Sequence, residues 1–193
     1  TTIDKYCYIS CRYLPPFFEY KYRIRYTFRE ETAAIAEIKH PSVRECLDFM
    51  KIDKGIEMVH ISDIPARSGI GSSSAFTVGF LNALFALTGR LVTKRELARN
   101  AIYVEQDILK ENVGSQDQVA AAFGGFNKIE FGGDKNFYVY PLTLGKEKID
   151  LLQSHLLLFY TGQARTASEI AQQQIKRIPD KKQELNTLSK FVD

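Results

Sequence analysis

Two glycines and three consecutive serines separate a strand-like run from an apolar helix, in Pro65-Ala66-Arg67-Ser68-Gly69-Ile70-Gly71-Ser72-Ser73-Ser74-Ala75. This segment limits the fold more than any other. The strand-like run Ile56 to Ile61 leads into it, and an apolar helix from Phe76 to Leu87, stopped at Thr88-Gly89, leads out. A strand, this turn and an apolar helix in succession fit the α+β class. Glycines let a backbone take positive φ and approach a ligand closely. The free N–H groups and macrodipole of the following helix then attract an anion, typically phosphate. The Gly-Lys-Ser/Thr ending of a Walker A loop is absent. The same residues would also serve an ordinary strand-to-helix turn with serine caps.

The rest of the chain fits an α+β domain. Tyr20, Tyr22, Ile24, Tyr26 and Phe28 alternate with Lys21, Arg23, Arg25, Thr27 and Arg29, which predicts one half-buried antiparallel strand over 20–29. Ile3 to Tyr13 reads as a weaker strand. Ser42-Val43-Arg44-Glu45 and Thr93-Lys94-Arg95-Glu96 have the form of capping boxes, and the second predicts a helix to about Leu109. Ser115 to Gln118 marks a further helix start. Phe126–Phe131 and Phe137–Leu142 flank Gly132-Gly133-Asp134-Lys135-Asn136 as a hairpin. His155 to Thr161 predicts a continuous apolar strand, and Thr166-x-x-Glu169 a helix that Pro179 interrupts.

Two carboxylates stand out. Ala98, Ile102, Glu105 and Leu109 fall at i, i+4, i+7 and i+11, which places Glu105 on an otherwise apolar stripe. A carboxylate held there must shift its pKa, find a cation or bind a metal. Asp117 follows at a helix start, where the dipole favours the ionised form. Taken singly, Glu105 reads as well as a partly exposed helix flank, and Asp117 as a helix-terminal acid without chemistry. With the glycine–serine turn they form a consistent set of phosphate cradle, metal carboxylate and second acid.

The segment Pro65 to Ala75 resembles the nucleotide-binding motif of the GHMP small-molecule kinases. Tyr103-Val104-Glu105-Gln106-Asp107, then Val113 to Gln118 and Gly124-Gly125, are similar to that family's metal and catalytic region. These stretches, with Phe159 to Arg165, look most like the branch that phosphorylates D-glycero-D-manno-heptose 7-phosphate at its anomeric hydroxyl. The resemblance implies a GHMP kinase fold, α+β, with a ribosomal-protein-like βαβ N-terminal domain over 1–150 and the start of a ferredoxin-like domain over 151–193. It implies ATP and Mg2+ as cofactors and a sugar phosphate as acceptor, with fucose or mevalonate as alternatives. By the same resemblance Gly69, Ile70, Gly71, Ser72, Ser73 and Ser74 hold the nucleotide. Ser73 and Glu105 hold magnesium, and Asp117 takes the proton from the acceptor. Gly162 and Arg165 would face the substrate, although Arg165 reads equally as a solvated arginine near a helix start. The family's N-terminal motif has no counterpart before Thr1 and its glycine-rich C-terminal motif none after Gly162, so the chain is expected to be incomplete at both ends.

Composition narrows the alternatives. Hydrophobic residues make up 45% and charged residues 25% of the 193, which is globular usage and argues against disorder. Three cysteines without a C-x-x-C pair fit a reducing cytosol better than a disulfide scaffold or a zinc site. No apolar run reaches 18 residues and no charged-then-apolar leader opens the chain, so a cytoplasmic protein without a membrane partner is expected. A net charge of +3 does not call for nucleic acid. A nucleic-acid-binding domain of similar βαβ fold is the rival reading, since residues 20–29 interleave aromatic and basic side chains, but alternation sends the two sets to opposite faces. His40, His60 and His155 show no metal spacing. A homodimer is compatible with all of this.

Overall fold

The computed structural model describes residues 1–66, 68–133, 135–159 and 167–191. Strands β1 (Cys7–Tyr13), β2 (Tyr22–Arg25), β3 (Arg29–Thr32) and β4 (Ile56–Ser62) form one sheet in the order β1-β4-β2-β3. β4 is antiparallel to β1 and parallel to β2, and β2 is antiparallel to β3. The alternating run at 20–29 is therefore not one strand. It reverses at Tyr26–Phe28, where the Tyr26 N–H donates to the Phe28 carbonyl at 2.9 Å, and the chain returns as β3. Period two fixes which side chains share a face but not where the chain turns back.

The two faces of the sheet are chemically distinct. On one, Tyr22, Ile24, Ile56 and Met58 are buried and pack with α1 (Pro41–Phe49) and α2 (Ser72–Leu87), through Val43, Leu47, Phe80, Leu81 and Leu84. On the other, register sets Arg12 opposite Glu57, Glu57 opposite Arg23, and Arg23 opposite Glu31. The resulting chain of ion pairs crosses all four strands at 2.6, 3.1 and 3.3 Å. Phe18 and Tyr20 lie against the Arg23 guanidinium, 4.7 and 5.0 Å from ring centroid to Cζ. Arg12, Arg23 and Arg29, three of the basic residues on this face, are thus matched by Glu57 and Glu31.

Helix α1 begins at Pro41, one residue before the expected serine cap. Its cap is His40, whose Nδ1 accepts from the Val43 N–H, and proline at the first helical position already has the required φ. Ser42 is instead buried in the first turn. The box at Thr93 forms as expected and opens α3 (Lys94–Tyr103). Helix α4 (Gln116–Phe123) precedes the hairpin β5 (Asn127–Phe131) and β6 (Phe137–Pro141). The hairpin is fastened to α3 by Arg95, which donates to the Phe137 carbonyl at 2.6 and 3.0 Å, and by a small core of Ala98, Ile102, Val119 and Phe137.

Beyond the hairpin the chain forms α5 (Lys146–Ser154), which the sequence reading lacked, then α6 (Ala167–Arg177) and α7 (Lys182–Ser189). Neither α5 nor α7 contains a buried residue. Residues 156–159 are not a strand, and Leu157, Leu158 and Phe159 are 75–82% exposed. An apolar run becomes a strand only beside another strand that takes up its N–H and C=O groups. No described strand pairs with this one. The rest of the expected strand, residues 160 and 161, lies outside the described residues, as do Gly162, Arg165 and the helix start at Thr166.

Candidate active site

From β4 the chain reaches α2 through the glycine–serine segment. Gly69 and Gly71 both occupy the left-handed region, at φ 79° and 74°. Gly71 is the helix N-cap, so α2 starts at Ser72 and its first turn consists of the three serines, four residues earlier than the apolar pattern alone indicates. The first intrahelical bond runs from the Ala75 N–H to the Gly71 carbonyl at 2.9 Å. Helix geometry leaves the N–H groups of Ser72, Ser73 and Ser74 ahead of that ladder, at the positive end of the dipole. Ile70 is exposed at the tip of the loop. The serine side chains diverge. Ser73 is exposed, whereas Ser74 is buried and its hydroxyl donates to Glu105 Oε2 at 2.8 Å. The hydroxyl of Ser74, expected among the phosphate-cradling residues, is therefore committed to the carboxylate behind the loop.

Glu105 sits where the helical stripe places it, 1% exposed. The element that carries it is not the expected continuation of α3. Residues Val104–Ile108 form a π-helical turn, closed by the Leu109 N–H on the Val104 carbonyl at 2.9 Å. Such turns widen a helix locally and are frequent at functional sites. Here the turn spreads three consecutive side chains toward three elements. Glu105 meets α2 through Ser74 and α4 through the amide of Gln118. Gln106 Nε2 donates to the Val113 carbonyl and to Ser115 Oγ, both at 3.1 Å, bracing the loop before α4. Asp107 pairs with Lys135 of the hairpin at 2.6 Å.

Asp117 lies in the first turn of α4, directly against the glycine–serine loop. A Cβ built on Gly71 would come within 2.9 Å of Asp117 Cγ. Glycine is thus required at 71 twice, by its φ and by the carboxyl packed on it. Partial burial raises the Asp117 pKa above the ordinary aspartate value. Glu111, whose N–H donates to the Glu105 carbonyl at 2.9 Å, is also raised, by burial first and then by the charge of Glu105.

The fold therefore brings together Gly71, Ser74, Glu105 and Asp117, from a loop, a helix start, a π turn and a second helix start. Glu105 has no Lys, Arg or His partner among the described residues, and its Oε1 is buried without a hydrogen bond. A buried carboxylate with one oxygen free of hydrogen bonds, beside a phosphate-type helix start, fits a hard divalent cation, which takes oxygen ligands and keeps several waters. The residue that sequence reasoning missed is Gln118. It is fully buried, and its place in the segment Val113 to Gln118 gives it no role of its own. Its one signal is the i, i+1 and i+4 inward stripe of Gln118, Val119 and Ala122, which marks it as buried without naming its partner.

Residues 33–125 match the N-terminal domain of the GHMP kinases. Over 135 residues the chain is 33% identical to the D-glycero-alpha-D-manno-heptose 7-phosphate kinase of Campylobacter jejuni, an alignment covering 70% of this chain and 40% of that protein. It is 34% identical over 137 residues to the homoserine kinase of Caldanaerobacter subterraneus, covering 69% and 38%. Among solved structures, a D-glycero-D-manno-heptose 1-phosphate kinase from Bacteroides thetaiotaomicron superposes with a TM-score of 0.69 at 24% identity, over 78% of this chain and 52% of that one. The matched stretch is thus about half, or less, of the length of these relatives. Residues 33–125 thus carry the N-terminal domain of the GHMP kinases, and the chain shares the fold of a solved sugar kinase.

Proposed function

We propose that the protein is an ATP-dependent sugar kinase, which transfers the γ-phosphoryl group to the anomeric hydroxyl of a sugar phosphate. One observation carries the reading. The left-handed glycine loop, the serine-bearing helix start and the Asp117 carboxyl meet in direct contact, in front of a buried Glu105 with an unpartnered oxygen. Phosphoryl transfer asks a protein mainly for positioning and charge neutralisation, and these are what the arrangement offers.

The first-turn N–H groups of Ser72, Ser73 and Ser74 and the α2 dipole hold the phosphate chain, which Gly69 and Gly71 allow to come close to the backbone. Ser73 and Glu105 are the residues that would hold magnesium, which when bound neutralises charge on the phosphate oxygens. Asp117 accepts the proton of the acceptor hydroxyl as the new O–P bond forms and the bond to ADP breaks. Its raised pKa brings it nearer the working pH of a general base. Residues 1–150 supply this nucleotide-binding half, and residues 151–193 begin a second domain.

The acceptor we favour is D-glycero-D-manno-heptose 7-phosphate, on the strength of the 33% identity to a kinase of that name. A coupled ADP-release assay of the intact protein against phosphorylated and free sugars tests it. The heptose 7-phosphate should give the highest kcat/KM. Faster turnover of free fucose or mevalonate would move the acceptor assignment, and no ADP release with any acceptor would remove the kinase reading.

A further inference from the structure

We infer that Gln118 is a positioning residue for the carboxylate of Glu105, and that it ties the metal side of the site to the helix that carries Asp117. The inference rests on the reading of Glu105 as the magnesium carboxylate. Gln118 is fully buried, follows Asp117 directly in the first turn of α4, and donates from Nε2 to Glu105 Oε2. Ser74 donates to the same oxygen from the first turn of α2. Two helix starts, one presenting the phosphate-binding turn and one the base, therefore converge on one carboxylate oxygen. Turning the Gln118 amide over would set its carbonyl against the carboxylate.

The two bonds leave a specific remainder. Among the described residues, five buried side-chain polar atoms make no hydrogen bond, and two of them are Glu105 Oε1 and Gln118 Oε1. Both are acceptors and both belong to the joined pair. An isolated buried acceptor is costly, so a pair of them implies a group that supplies positive charge or hydrogen-bond donors. A hydrated divalent cation supplies both, and Gln118 is then the outer partner that orients a metal ligand, a role whose loss weakens metal binding about 10- to 100-fold.

The test uses the intact protein with ATP, and follows thermal shift as a function of Mg2+, with Mn2+ electron paramagnetic resonance as a second readout. Gln118→Met keeps the volume and removes both polar atoms. It should raise the Mg2+ concentration for half-effect by about 10-fold or more, while ATP affinity measured in EDTA stays within about twofold of wild type. Ser74→Ala, which deletes a single hydroxyl and serves if Gln118→Met does not fold, should shift the Mg2+ midpoint in the same direction by less. Restoring a donor with Gln118→His should recover part of the loss. Wild-type Mg2+ midpoints in both Gln118→Met and Ser74→Ala would overturn the inference while leaving the kinase reading intact. A wild-type protein whose ATP binding ignores Mg2+ would overturn both.

Discussion

The loop at 68–75 and the carboxylate floor at 105–118 build one site by different physical means. The loop owes its form to the backbone, through two left-handed glycines and a helix start whose N–H groups lie ahead of the hydrogen-bond ladder. The floor owes its form to side chains. Glu105 is held by Ser74 and Gln118, and Gln106 and Asp107 fasten the neighbouring loop and hairpin. They touch at Asp117, which packs on Gly71 yet stays on the exposed side of α4. The two parts therefore tolerate different changes. A side chain of the floor can be exchanged and leave the loop shaped, whereas one methyl group on the loop reaches the floor.

The largest expected effect separates chemistry from binding. Asp117→Asn keeps the size and the contact with Gly71, so turnover in the ADP-release assay should fall about 10²- to 10⁴-fold, with ATP affinity within about twofold of wild type. Normal turnover with weakened ATP binding would assign Asp117 to the phosphate side instead. The next breaks the contact itself. Gly71→Ala forces a non-glycine residue to φ 74° and a Cβ against Asp117 Cγ, and should cost about 1–3 kcal/mol of stability, read as a lower Tm. Because the methyl group also pushes Asp117 away, turnover of the folded fraction should drop as well. Pairing Gly71→Ala with Asp117→Gly, which vacates that space, should recover part of the Tm but none of the turnover.

The smallest effect concerns charge. Asp117 has a folded pKa raised by burial, so its protonated form favours the folded state. That contribution is fully present below the ordinary aspartate value of about 3.9 and is lost as pH rises through the raised value. Asp117→Asn should therefore equal wild type in Tm at strongly acid pH and exceed it slightly at neutral pH. A variant less stable than wild type at pH 7 would show that the ionised carboxylate is stabilised by its surroundings.

Much of this was legible in the residues. The Thr93 cap and the hairpin around Gly132-Gly133 follow from local spacing, and the stripe offers burial as one of two readings of Glu105, because capping and face periodicity are properties of a few neighbouring residues. What escaped depends on contacts distant in the chain. The reversal at Tyr26–Phe28 is marked by Glu30, which lies buried because Tyr26 Oη and the N–H groups of Lys39 and His40 all donate to it. In a one-dimensional pattern Glu30 is only a charge after a strand. The π turn at 104–108 keeps the apolar stripe while altering the helix, so periodicity passes over it. Gln118 meets Glu105 across a sequence separation of 13, and no spacing rule joins a buried amide to a buried acid. Leu156 to Phe159 have the opposite problem. Their apolarity reads as a strand, but hydrogen-bonding neighbours decide that, and among the described residues there are none.

The proposed role of Glu105 is to couple metal to nucleotide. Its most direct test is the thermal shift of the intact protein with ATP, with and without Mg2+, in wild type and Glu105→Gln. Wild type should gain several degrees from Mg-ATP over ATP with EDTA, and Glu105→Gln should keep the metal-free shift and lose the increment. An undiminished Mg2+ increment in a folded Glu105→Gln protein would contradict the account.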